Sequence, residues 1–538
     1  MSLPIPKAPT YYIPAPPPPD KFSRRAQVVV YGGTAAGIIA AIETKARGFS
    51  VLLLNPGWTV GGMTTNGLGY TDFGNEAVVG GRARRFYEDI GNYYEQPIAW
   101  AFEPAAAQNV FATWLRDSGV EVTHGFYVAE AVRKANHLIE ISSTAGHRVV
   151  GEMFIDASYE GDLMKAARVA SFVGREDNQT YNETSNGFQL RDQHQFERRV
   201  DPYLRPGNPA SGLVRGVHRI GSAPTGTGDQ LVQAYNFRLC MTRRPEIRVP
   251  FPKPAHYDER DYELLARYFA AGWDMDLLSD GSFKKYDDIG NGKTDTNNAG
   301  AFASDFIGGN WEFPHASYEQ RERIYQAHLN YQQGLFWFLQ NSPRVPGNVQ
   351  QAVRAYGLAA DEFTNTGNWP MQLYIRECRR LLGRCVMTER HCVRLETVDD
   401  PVGMAAYTMD SHNCQRVVVD GRVRNEGDVQ VNLKSPYAIS YQSLTPRESE
   451  CDNLLVPVCL SASHIAYGSI RMEPVFMGLG QAAAIAACLC LRSQLPVQRL
   501  PYSALRTELD NAGLVVDLTQ IDPQLCPNGC GNPTKVMA

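Results

Sequence analysis

Apolar positions along the chain gather into short runs, separated by glycine turns and by stretches with helical periodicity. The first clear unit spans Gln27 to Asn55. An apolar run from Gln27 to Tyr31 passes through Gly32, Gly33, Thr34, Ala35, Ala36 and Gly37 into an Ala/Ile-rich stretch, Ile38 to Arg47. Gly48 stands where a helix C-terminus favours glycine, and a second apolar run, Val51 to Leu54, ends at Asn55. The pattern predicts strand, glycine turn, helix and strand. That unit holds a dinucleotide pyrophosphate over a helix N-terminus.

Further along, a helix is expected through Phe86 and Tyr87, and another over Glu103–Ser118. In the latter, Ala107, Val110, Phe111, Trp114 and Leu115 recur at helical spacing. Gly119 to Val122 begins a strand, followed by short runs around Tyr127-Val128 and His137–Ile141. A buried strand at Phe154-Ile155 ends in Asp156, where an open α/β sheet meets its ligand crevice; the same Asp is also placed to cap the next helix. From about residue 176 to 395, Pro, Tyr, Asn, Arg and Trp become frequent and no strand-glycine-helix unit recurs. Tyr235–Cys240 reads as a strand there, residues 291–298 as a polar turn cluster, and Ser317–Leu339 as a helix. Val475–Leu491 is interrupted by Gln481 and rich in small residues, which suits a buried helix better than a membrane span.

The glycine turn departs from the strongest fingerprint at two places. Its third position is Thr34, giving G-x-T-x-x-G, and the second strand ends in Asn55 where an acid usually accepts from ribose hydroxyls. Asn keeps an acceptor but loses the charge. A second Gly/Thr-rich loop follows, Gly61-Gly62-Met63-Thr64-Thr65-Asn66-Gly67-Leu68-Gly69. Later come Ile155-Asp156-Ala157-Ser158-Tyr159-Glu160-Gly161-Asp162-Leu163 and Ser469-Ile470-Arg471-Met472-Glu473-Pro474, leading into Gly478 and Gln481. With these motifs the chain resembles FAD-dependent oxidoreductases built on the glutathione-reductase/fumarate-reductase type of flavin domain. The segments Y-N-x-R (Tyr235–Arg238), K-T-D-x-N-N (Lys293–Asn298) and Y-x-R-E (Tyr374–Glu377) extend the match.

The resemblance implies an α/β fold: a Rossmann-like FAD-binding domain with an inserted α+β substrate domain. It implies a Pro-rich arm over residues 1–23, flavin-domain segments over 24–175 and 396–515, the insertion over 176–395, and a tail over 516–538. FAD would lie against the glycine turn, Asn55-Pro56, the loop Gly61–Thr65, the backbone at Val128, and the Asp156, Ala157, Gly161 and Asp162 segment. Arg471, Glu473, Pro474, Gly478 and Gln481 would approach the flavin, whose reduced pyrimidine edge gains from a helix N-terminus.

FAD carries the difficult step, so the protein must place a substrate carbon and manage a proton. His464, just ahead of the flavin-facing helix, is the first candidate acid/base, although a structural histidine is as well accounted for. His412 with Asp410 is an alternative oriented base, and a surface turn accounts for it equally. Arg376 and Tyr374 are the candidates from the insertion, although Arg376-Glu377 also suits structural ion pairing. The expected reaction is two-electron oxidation of an alcohol-bearing polar molecule, such as a sugar or secondary metabolite, with electrons passing to oxygen or another acceptor. Reduction of an unsaturated carboxylate is the alternative enzyme reading, and a flavin-containing binding or structural protein the alternative of another class. No second dinucleotide fingerprint, redox cysteine pair, metal-ligand spacing or Ser-His-Asp spacing appears.

Composition adds boundaries. The 538 residues are 43% hydrophobic and 20% charged, with a net charge of −5 and no basic block, so neither nucleic acid nor a membrane is expected as partner. A substrate, an electron acceptor and a monomer or homodimer are expected. Eleven cysteines are scattered; Cys378, Cys385 and Cys392 recur every seven residues, and Cys526 and Cys530 flank a Pro-Asn-Gly turn. The N-terminal stretch lacks an apolar leader run, and the expectation is a reduced, cytoplasmic protein.

Overall fold

The computed structural model describes residues 6–14, 22–273 and 286–521. Most of the proline run, and the Cys526/Cys530 pair, lie outside the described residues.

The glycine-turn unit forms as its pattern predicts. Strand β1 (Ser23–Tyr31) leads through the turn into α1 (Ala35–Ala46) and β2 (Val51–Asn55). β1 pairs in parallel with β2 on one side and with β6 (Arg148–Asp156) on the other. Both faces of this centre are covered, so Val28–Tyr31 and Leu53-Leu54 are wholly buried, which is why the runs are continuously apolar. Gly37 lets α1 sit tight on the turn: a Cβ there would lie 1.9 Å from the Gly32 carbonyl oxygen.

β3 (Glu121–His124) extends the sheet beyond β2, and the hairpin β4 (Val128–Lys134) and β5 (His137–Ser143) pairs with the first half of β6. The second half of β6 takes a parallel partner from far along the chain, Leu454-Leu455, with Phe154 and Leu454 as register neighbours. The chain therefore leaves this sheet after β6 and returns to it only after the whole middle of the sequence has passed. Helix α2 (Gly81–Tyr93) packs on helix α3 (Pro104–Ser118) and on the helix Glu473–Ser493, and α3 packs on α1. Glu473–Ser493 is, among the described residues, the one helix long and apolar enough to cross a membrane; 83% of that window is buried inside the fold.

Between residues 241 and 359 a separate five-stranded sheet forms, with Met241-Thr242 at its centre. Here the sequence expectation needs correction twice. The polar stretch 291–298 is not a turn cluster: Lys293–Thr296 is a strand, and Lys293, Asp295 and Thr296 are buried. Tyr235–Cys240 runs extended without a ladder, with one isolated β-bridge, Asn236 to Tyr374, and pairing proper starts at Met241. The seven-residue cysteine spacing also marks no helix, since only Cys392 is helical, in Glu389–Cys392. The helix Tyr318–Asn341 matches its expected span and starts with a capping box at Ser317 and Gln320.

Candidate active site

The cleft above β1 begins with Thr34. Its hydroxyl accepts from the Gly37 N–H (3.2 Å) and donates to the Ala157 carbonyl (2.7 Å), so threonine both caps α1 and clamps the turn to the end of β6. The N–H groups of Ala35 and Ala36, which open α1, have no acceptor among the described residues. They form the positive end of a twelve-residue helix, aimed where an anion would sit. Pro56, Trp58, Gly62, Tyr127 and Tyr159 complete a narrow cleft. Gly62 must be bare, because a Cβ there would meet the Tyr159 hydroxyl at 2.2 Å.

Several residues expected at the ligand also brace the cleft through hydrogen bonds within the protein. Asn55 Oδ1 accepts from the N–H groups of Gly33 and Gly57, and Nδ2 donates to the carbonyls of Gly57 and Thr59, so its amide is spent inside the protein. Asp156 accepts from Ser158 and from the Met164 N–H in the first turn of α4 (Asp162–Ala166). The Gly161 N–H donates to the Ser158 hydroxyl in the same turn, and Gly61 is tied to the Gly33 carbonyl (2.7 Å). The backbone of Val128 is occupied on both sides, its N–H by the Tyr31 hydroxyl and its carbonyl by that of Tyr318. Pro474 and Gly478 border a different recess, beside Val78–Gly80 and Met404, and Gln481 holds the Arg82 N–H (2.8 Å).

At the start of the helix Glu473–Ser493 lies a buried carboxyl. Glu473 accepts from the Tyr159 hydroxyl (2.6 Å) and the Thr64 hydroxyl (2.8 Å), and Tyr159 in turn accepts from the Met63 N–H. Thr65 donates to the Val60 carbonyl and fixes the same loop. Burial, only partly offset by those two hydrogen bonds, pushes the Glu473 pKa up to about 7. The fold thus holds a proton that the unfolded chain releases near the ordinary value of 4.5. Stability attributable to this group is full below that ordinary value and is lost as pH rises towards 7. Glu473→Gln, which has no proton to lose, is therefore expected to match wild type at pH 5 in urea unfolding. At pH 8 it should be more stable by on the order of 3 kcal/mol. An equal gap at both pH values would remove burial of the carboxyl as the cause.

Deeper along the chain, three arginines surround one ring. The guanidinium carbons of Arg376, Arg471 and Arg238 lie 4.5, 5.8 and 5.9 Å from the Tyr374 ring centroid. Each is neutralised by its own aspartate: Arg376 by Asp305 (2.9 Å), Arg471 by Asp410 (2.9 Å), and Arg238 by a bidentate grip on Asp295. Arg471 also donates to the Tyr374 hydroxyl (2.8 Å), and its carboxylate partner is Asp410, not Glu473. Buried N–H donors remain without a partner at Arg238 Nη1, Arg376 Nε and Arg471 Nε.

His412 joins this cluster. Its Nδ1 meets Asp305 Oδ2 at 2.7 Å, and its Nε2 stands 3.5 Å from Asp410 Oδ2. Burial alone would raise the Asp410 pKa, but His412 and Arg471 outweigh it and hold the carboxyl well below the usual range. In the antiparallel pairing of Met409–Ser411 with Val429–Val431, Ser411 faces Val429. The preceding residue, Asp428, accepts from His194 (2.7 Å), a second His-Asp pair whose histidine also feels the charges of Asp410 and Asp305. His464 is placed differently. Its Nδ1 meets Glu377 (2.8 Å) and its Nε2 meets the Ser411 hydroxyl (2.9 Å), so both ring nitrogens are used inside the protein.

Comparison with protein families matches residues 27–509 to the model described as FAD dependent oxidoreductase. The chain belongs to that family. Comparison with curated proteins gave no match. Among solved structures the chain is similar to the OxyS anhydrotetracycline hydroxylase from Streptomyces rimosus, at 14% identity over 35% of this chain and 40% of that one, TM-score 0.23. It is also similar to the 3-ketosteroid-delta4-(5alpha)-dehydrogenase from Rhodococcus jostii RHA1, at 14% identity over 28% and 50%, TM-score 0.19. The match thus spans about half or less of these structures.

In this FAD dependent oxidoreductase the free N–H groups opening α1 fit a dinucleotide with its pyrophosphate at the helix N-terminus. The sequence pattern missed one wall of the cleft, formed by Thr10 and Tyr11. Backbone N–H groups of Tyr11 and Tyr12 both donate to Glu322 (2.7 Å each), and the Tyr11 hydroxyl donates to Glu160 (3.0 Å). Tyr12 packs on Tyr318 and Tyr127, so residues 6–14 are tied down across the cleft. Nothing in the composition of that segment signals this contact. Asp305 was missed for the same reason: its partner His412 is 107 residues away.

Proposed function

We propose that this FAD dependent oxidoreductase catalyses two-electron oxidation of a neutral, hydroxyl-bearing small molecule, such as a sugar or an alcohol of secondary metabolism. Electrons then pass to oxygen or another acceptor. The observation that carries this reading is the His412–Asp305 pair. With Asp305 accepting from Nδ1–H, the neutral ring carries its lone pair on Nε2, the tautomer a general base requires. Asp410, 3.5 Å from Nε2, stabilises the imidazolium formed when that nitrogen takes the hydroxyl proton.

Bound FAD supplies the two-electron acceptor for the carbon-bound hydrogen. The free N–H groups of Arg238, Arg376 and Arg471 orient substrate oxygens, and Tyr374 offers a flat surface between them. Charge balance favours a neutral substrate over a dicarboxylate. Three guanidiniums meet three aspartates, so no surplus positive charge awaits an anion there. Residues 176–395 would act as the substrate cover, since they supply Arg238, Asp295, Asp305, Tyr374 and Arg376.

Anaerobic absorbance titration of the purified protein against sugars, polyols, amines and dicarboxylates tests the reading. The yellow flavin is expected to bleach with one alcohol class, and re-colouring on admitting air would identify oxygen as acceptor. If dithionite-reduced protein recolours only with an unsaturated acid, the oxidation reading is overturned.

A further inference from the structure

Eight arginines are buried among the described residues, and seven of them form an ion pair with a carboxylate. Arg416 does not. It is 2% exposed, on the strand Gln415–Val419. Its Nε donates to the Asn425 side chain (3.0 Å), its Nη2 reaches the Ala301 carbonyl only at 3.5 Å, and its guanidinium lies 4.8 Å from the Phe302 ring centroid. Burial holds its pKa below the ordinary arginine value, with Tyr331 and Asp305 only partly offsetting that. A buried cation left this way is costly unless an anion arrives to pair with it.

Arg416 borders a cavity of about 240 Å³ that belongs neither to the flavin cleft nor to the Arg–Asp cluster. Phe302, Phe306 and Tyr331 form its apolar side, with Phe306 and Tyr331 stacked at 4.3 Å. On the polar side, His218 Nδ1 accepts from the Arg416 backbone N–H (2.9 Å), so the neutral ring carries its proton on Nε2. Burial and the Arg416 charge push the His218 pKa down to about 4, so this ring is neutral at physiological pH. Arg215 and Asp261 also line the cavity and neutralise each other, Arg215 pairing with Asp261 (2.7 Å) and Asp258 (2.8 Å). The cavity falls below the roughly 300–1,000 Å³ of drug-sized sites, which suits a single small ring. Its bordering stretch, residues 302–309, carries Asp305 towards Arg376 and His412, so the cavity lies behind that wall.

We propose that this cavity is a second ligand site, taking a small aryl carboxylate whose carboxylate pairs with Arg416 and whose ring lies against Phe302, Phe306 and Tyr331. It stands independently of the oxidation reading, because none of its residues serves that chemistry.

The test uses the flavin-loaded full chain with benzoate and its neutral isostere benzamide at matched ionic strength. Benzoate is expected to bind saturably by calorimetry, and benzamide at least about tenfold more weakly, the factor one charge-assisted hydrogen bond commands. Photolabelling with 4-azidobenzoate, followed by peptide mapping, is expected to mark residues 302–309 or 215–218, with excess benzoate protecting. Arg416→Gln should abolish the preference for benzoate over benzamide and Arg416→Lys retain part of it; if Arg416→Gln fails to fold, the wild-type label map decides. Equal affinity for benzoate and benzamide, or protected labelling confined to residues 371–376, would overturn the proposal.

Discussion

Replacing His412 by glutamine is expected to slow substrate-driven bleaching of the flavin by about 10²–10⁴-fold while leaving the bound-flavin spectrum in place. Glutamine keeps a polar contact to Asp305 but offers no titratable nitrogen. The comparison that gives this its force is His464→Gln. His464 is clasped between Glu377 and Ser411, so its loss strips a buried carboxylate of its partner and lowers stability. On the proposed reading it removes no group that faces substrate, and the bleaching rate should stay within about tenfold of wild type. Stopped-flow reduction of both variants, beside urea unfolding, separates a base from a brace. A fast His412→Gln enzyme beside a dead but stable His464→Gln enzyme would reverse the assignment.

Local chemistry was legible in the chain and remote pairing was not. The strand-turn-helix unit could be read because its glycines, small residues and apolar runs act on neighbours within about 30 positions. Thr34 looks like a weakened fingerprint until its hydroxyl is seen capping α1 and holding Ala157. The stretch 291–298 misleads because its composition is that of a turn. Its charges belong instead to distant partners, Lys293 to Glu103 and Glu362, and Asp295 to Arg238. A buried polar strand is stable only when such partners exist, and no local pattern announces them. The same holds at the site: Tyr374, Arg376, Asp295 and Asp410 were visible in local motifs, whereas Asp305, and which aspartate balances which arginine, were not, because the partners stand far apart in the chain.

Asp162→Ala is expected to cost about 3–5 kcal/mol of stability, the toll of leaving buried cations without their anion. Asp162 follows the β6 turn, and its carboxylate is shared by Arg321 (2.6 Å) from the helix Tyr318–Asn341 and Arg379 (2.8 Å). Both arginines are buried, so one carboxylate fastens two remote segments to the end of the parallel sheet. Asp162 was expected from the sequence at the cofactor; its contacts make it a fastener between segments. Burial would raise its pKa, but Arg321 and Arg379 prevail and hold it below the ordinary 3.8. A carboxyl held low contributes its stability above the unfolded pKa and loses it as pH falls through the folded one. The gap between wild type and Asp162→Ala should therefore stay constant from pH 8 to about pH 5 and close only in stronger acid. Glu473 shows the opposite trend: its contribution is lost as pH rises, so there the variant, not wild type, becomes the more stable protein. Urea unfolding at pH 8, 5 and 3 reads both trends, and a loss below about 1 kcal/mol for Asp162→Ala would show that the segments are held together by apolar packing alone.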